Sequence, residues 1–220
     1  MRICSALLFV LLSSSSALAI PAITCHCFRH RTFDPQSPSA ADPYFLATTQ
    51  NSFFSAVFGV EKKQVVRAKM SGSSSAEMWI SHYVASRDGV SPDALEKARS
   101  EASSWKAVLA SLYTPENQLG AEFEKALEGK ATSEALASAA VDANLVARFG
   151  ADPADLRRLR GAGATDAEAI LAVFLSRESN RPAAGYRDEV AAGKKTWGSL
   201  LAKQGIEPSA IDAEVRRFIR

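Results

Sequence analysis

The stretch 165–175, Thr-Asp-Ala-Glu-Ala-Ile-Leu-Ala-Val-Phe-Leu, constrains the fold more than any other. Across 167–175 every residue except Glu168 is apolar, so a helix here has no face to give to water and needs partners on all sides. Thr165 and Glu168 have the spacing of a capping box, in which each side chain bonds the other's backbone N–H. The same spacing stands 91 residues earlier at Ser74 and Glu77, again followed by an apolar run through Trp79, Ile80, Tyr83 and Val84.

Sliding the sequence against itself by 91 residues extends this match. It pairs Asp42 with Ser133, Phe54 with Leu145, Phe58-Gly59 with Phe149-Gly150, Arg67 with Arg158 and Gly72 with Gly163. After a one-residue insertion, Trp105 meets Trp197. The expectation is an all-α fold built by tandem duplication of a five-to-six-helix module, with copy 1 over 42–130 and copy 2 over 131–220. The two copies form either two similar bundles or two halves sharing one core. No segment alternates apolar and polar residues in the manner of a strand.

Local chemistry sets the predicted ends. Asp42-Pro43, Ser91-Pro92 and Asp152-Pro153 place an N-cap residue before a proline at the first helical position. Gly59, Gly89, Gly150, Asn180 and Gly205 suit left-handed helix C-caps. Gly193 splits one segment of copy 2 into helices near 183–192 and 196–204. Copy 1 lacks that glycine and is expected to run straight through 92–112. The last helix of each copy is expected to start at Thr114-Pro115 and Glu207-Pro208.

Residues 1–19 read as a secretory signal peptide: Arg2, a short apolar run, then Ala17-Leu18-Ala19 as the cleavage site. The run is too short to span a bilayer, and no other stretch is long and apolar enough. The implied location is periplasmic or extracellular, with no integral membrane segment after cleavage. Removing Arg2 takes the formal charge from +2 to +1. Acids and bases are interspersed, which is no footprint for nucleic acid.

Residues 20–41 form an irregular leader, anchored over the body by Phe28 and Phe33. Within and beside it, Cys25, His26, Cys27 and His30 are the one cluster with ligand chemistry. Two thiolates and two imidazoles suit Cu(I) or Zn. The C-x-C spacing is shorter than most zinc knuckles use, and an oxidising compartment favours a disulfide or redox pair between Cys25 and Cys27. These are the only cysteines left after cleavage, so no disulfide framework holds the body.

Elsewhere the residue types favour packing over chemistry. Trp105 and Trp197 stand at matching positions and read as core anchors, and Trp79 as a third. His82 faces Val173 in the other copy, which suits a partly buried, hydrogen-bonded imidazole. Neither G-x-S-x-G nor H-E-x-x-H occurs. The segment 196–208 has a helix-turn-helix rhythm, yet Glu207, Asp212 and Glu214 accompany Arg216, Arg217 and Arg220. These arginines read as a solvated face at a helix C-terminus.

The segment from Cys25 to Trp79, above all Asp42-Pro43-Tyr44-Phe45-Leu46-Ala47-Thr48-Thr49-Gln50-Asn51-Ser52-Phe53-Phe54, resembles exported proteins of Geobacter-type delta-proteobacteria. The resemblance implies export and an all-helical body and brings no catalytic residue. Together these readings point to an exported, non-catalytic binding or scaffold protein of the cell envelope, with an unknown protein or envelope partner. The alternative is a periplasmic redox or metal-handling protein acting through the Cys-His-Cys leader.

Overall fold

A computed structural model describes residues 28–112, 119–129, 131–179 and 181–219. Among these residues there are twelve α-helices and no strand. The first half carries α1 (Asp42–Phe58), α2 (Lys62–Met70), α3 (Ser75–Asp88), α4 (Pro92–Glu101), α5 (Trp105–Leu112) and α6 (Ala121–Glu128). The second carries α7 (Ser133–Phe149), α8 (Pro153–Gly161), α9 (Asp166–Ser179), α10 (Ala183–Ala191), α11 (Trp197–Lys203) and α12 (Ile211–Phe218).

Helix lengths run in parallel. α1 and α7 both span 17 residues, α2 and α8 both 9, and α3 and α9 both 14. Their starts, Asp42 and Ser133, Lys62 and Pro153, Ser75 and Asp166, are each 91 residues apart. Gly59 and Gly150 end α1 and α7 in the left-handed region, both at φ 66°, where a Cβ would be strained. Asn180 and the pair Thr114-Pro115 lie outside the described residues.

The core is continuous across the two halves, because their buried side chains form one cluster. In α9 the seven residues 169–175 are all buried, as its lack of a polar face requires. The way the halves share the core is specific: the first helix of each packs mainly on the other half. α1 lies against α9, α11 and α12, while α7 lies against α3 and α6. Aromatic rings meet across the midline, with Phe53 of α1 against Phe149 of α7 at 4.8 Å between centroids.

Several expected ends differ. The first half does not run straight over 92–112: α4 stops at Glu101 and α5 restarts at Trp105. The Ser104 hydroxyl accepts from the Ala107 N–H at 3.2 Å, and the Arg99 guanidinium donates to the Ala102 carbonyl at 2.8 Å, so each new end is satisfied. α12 begins at Ile211 and not at Pro208, after a turn over 207–210. Asp42 does not cap its own helix. Its carboxylate accepts from the Trp197 and Gly198 N–H groups at 3.1 and 2.8 Å, which caps α11 across the halves.

Candidate functional site

The strongest candidate grows out of Glu77. Its backbone N–H donates to Ser74 Oγ at the N-terminus of α3 (3.4 Å), as the capping-box spacing predicts. The return bond is not made. The Glu77 carboxylate instead accepts from the Trp105 indole N–H and from the Ser133 hydroxyl (2.8 Å), with Arg99 Nε 3.6 Å away. Only the second half completes the box, with Thr165 N–H on Glu168 Oε2 at 2.9 Å and Glu168 N–H on Thr165 Oγ1 at 3.3 Å. One carboxylate thus ties α3, α5 and α7 together through charge-assisted bonds.

Beside this knot, α5 and the start of α7 leave a groove of about 560 Å³ lined by Trp105, Lys106, Ala110, Leu127, Ser133 and Leu136. Trp105 is 2% exposed. It is the core anchor expected from its position and also the floor of the groove. Lys106 and Ala110 are exposed at the rim, and the Lys106 ammonium has no side-chain partner among the described residues.

Trp105 and Lys106 are the first two residues of α5, and Ser133 and Leu136 the first and fourth of α7. The same helix positions in α11 and α1 hold Trp197, Gly198, Asp42 and Phe45. That second place is covered by the leader. A Cβ added to Gly198 would stand 2.9 Å from the Phe45 ring and 3.1 Å from the Phe33 ring. Residue 198 has no room for a side chain, because the Phe45 and Phe33 rings both stand there. The leader is held further by Phe28 edge-on to Tyr44 (5.6 Å) and by Arg31 over the same ring.

A second cleft, about 420 Å³, lies at the N-termini of α8 and α10 with Arg158, Arg177 and Arg181 in its wall. Its carboxylates and Arg181 are engaged within the protein, and Arg177 lies over the Phe218 ring at 5.7 Å. Asp152 caps α8, Asp155 accepts from the Ala183 and Ala184 N–H groups of α10, and Arg181 pairs with Glu189.

Of the residues singled out for metal or redox chemistry, Cys25, His26 and Cys27 lie outside the described residues. His30 is exposed at the start of the described chain. Among the described residues no group of three or more His, Cys, Asp or Glu side chains is placed to hold a metal ion. His82 is half-buried as expected. Its Nδ1–H donates to the Met78 carbonyl at 3.0 Å, its ring meets Phe54 edge-on at 4.8 Å, and burial lowers its pKa. Trp79 and Trp197 are core side chains. Arg216 and Arg217 are exposed in the last turn of α12, the solvated face expected, and both also make ion pairs there. Arg216 reaches Asp212 and Ser55, and Arg217 pairs with Glu178 and Glu214. Among the described residues no helix is long and apolar enough to cross a membrane.

Sequence reasoning missed the groove. The signal available was the contrast of Lys106 with Gly198 after a matched tryptophan, with Phe33 in the leader as the group that needs the glycine. No protein-family model, no curated protein and no solved structure matches this chain.

Proposed function

We propose that the chain is an exported, non-catalytic binding protein of the cell envelope, built by tandem duplication of a six-helix unit. Its binding surface is the groove at Trp105. One observation carries this reading: the groove between α5 and α7 stays open, while the matching place between α11 and α1 is filled by Phe33 of the leader. A duplicated unit in which one copy is closed from within and the other is left open has kept one surface for an outside partner. The duplication is supported by the six helices recurring in order, with starts 90 to 92 residues apart. Export is supported by the signal-like segment 1–19.

The test uses an apolar dye, anilinonaphthalene sulfonate, on the mature protein. One equivalent is expected to bind with a blue-shifted emission. Ala110→Trp, which fills the groove from an exposed position, is expected to abolish it with the far-UV circular dichroism unchanged. Equal dye binding by the wild type and this variant would remove the groove as the binding surface.

A further inference from the structure

The geometry points to the groove's partner: an extended segment of another protein in which an aromatic side chain is followed by an acidic one. This rests on the groove being the binding surface, and it goes further by naming what enters. The template is inside the molecule. In the second half the corresponding place receives Thr32-Phe33-Asp34-Pro35, an irregular stretch whose Phe33 ring packs against Gly198 beside Phe45 and Asp42. The first half offers the same frame, with Trp105 in place of Trp197, Leu136 in place of Phe45 and Ser133 in place of Asp42.

Two replacements set the chemistry of the entrant. Leu136 is smaller than Phe45, which leaves room for a ring between it and Trp105. Aromatic rings bury a large area in such a slot and keep a fixed geometry. At the position of Gly198 stands Lys106, whose stem can lie along an incoming ring while its ammonium stays at the rim. Among the described residues that ammonium has no hydrogen-bond or ion-pair partner, and Glu77, the acid of the neighbouring knot, is already held by Trp105, Ser133 and Arg99. A carboxylate one residue beyond the ring, as Asp34 follows Phe33, meets it. The leader of a second copy is not the occupant, because each copy's leader is seated on its own α1 and α11 through Phe28, Arg31 and Phe33.

The probe is a fluorescein-labelled peptide of residues 28–41, titrated with the mature full-length protein and read by anisotropy, with bound dye displacement followed in parallel. Saturable one-to-one binding is expected, with dye release. Replacing Phe33 in the peptide by Ala, or Ala110→Trp in the protein, is expected to weaken binding at least tenfold. Asp34→Asn in the peptide and Lys106→Gln in the protein should each cost several-fold, and together no more than either alone.

Equal binding of the Phe33→Ala peptide, or binding unaffected by Ala110→Trp, overturns the proposal; the latter would mean displacement of the protein's own leader from the second half. Concentration-dependent dimerisation through the groove, seen by sedimentation and lost in Ala110→Trp, would also overturn it in favour of a second copy. A dye that binds the groove but is not displaced by the peptide leaves the binding surface standing and removes the aromatic–acidic partner. A dye that never binds there removes both.

Discussion

Two matching places in the halves handle the same buried cation in opposite ways. In the second half Arg160 of α8 reaches Asp142 of α7 at 2.7 Å and Asp166 of α9 at 2.7 Å, so the charge is shared by two carboxylates. The eighth residue of α2 in the first half is Lys69, and its ammonium reaches Asn51 Oδ1 of α1 at 2.7 Å. Ser75 stands where Asp166 stands, and its buried hydroxyl has no hydrogen-bond partner. Without a carboxylate, burial lowers the Lys69 pKa to about 8. Similar helices can thus be held by an ion triad or by a single bond between a charge and a neutral amide. The difference lies in what each would lose.

The largest effect is expected where the triad is broken. Arg160→Met leaves Asp142 and Asp166 partly buried without their cation, and about 2–4 kcal/mol of stability should go, read from the urea midpoint. Removing the Lys69 ammonium has the opposite sign. Its folded pKa near 8 lies below the unfolded value near 10.4, so between these pH values the unfolded chain holds more protons. Stability should therefore rise with pH through that window, by at most about 1.4 kcal/mol per unit for this one group. Lys69→Met should remove that rise and be the more stable protein at pH 7, which paired urea titrations at pH 7 and 10 would check.

Asn51→Asp converts the first half towards the second. It should raise the Lys69 pKa towards its ordinary value and add about 1 kcal/mol at pH 7, with the titration followed by NMR of the lysine Cε. No change in that pKa would mean that Lys69 and residue 51 do not share the buried contact.

The smallest effect concerns His82, which matches Val173 in α9. Burial holds its folded pKa below 6.5, with Phe54 and Phe58 packed on the ring and Glu96 and Asp93 pulling the other way. Its contribution is present above 6.5 and lost as pH falls through the folded pKa. His82→Val should flatten the acid side of the stability profile between pH 7 and 5 by a few tenths of a kcal/mol.

What could be read from the residues was mostly local. Ser74 and Thr165 mark helix starts, Gly59 and Gly150 mark ends, and the apolar run over 167–175 announces its own burial, because each of these depends on neighbours a few residues away. The break before Trp105 was also written locally, in Ser104, and was hidden by the helical pattern around it. Asp42 and Glu77 could not be read the same way. Both carry the spacing of ordinary helix caps, and both carboxylates are drawn off by partners far along the chain: Trp197 for Asp42, Trp105 and Ser133 for Glu77. The groove is legible only once α5 and α7 are placed, since its walls are 28 residues apart and neither is unusual alone.

The exchange of α1 and α7 between halves has a consequence for how the chain is made. Asp42 and Ser55 of α1 find partners 155 to 161 residues later, at Trp197, Gly198 and Arg216. A growing chain therefore carries Phe45, and the side of α1 that faces α11 and α12, without cover until those two helices have been synthesised. Contacts of such long separation slow folding, and they leave apolar surface open to holding factors meanwhile. Were the chain exported, as proposed above, that delay would be an advantage, because α1 could not complete its packing before α11 and α12 had crossed the membrane.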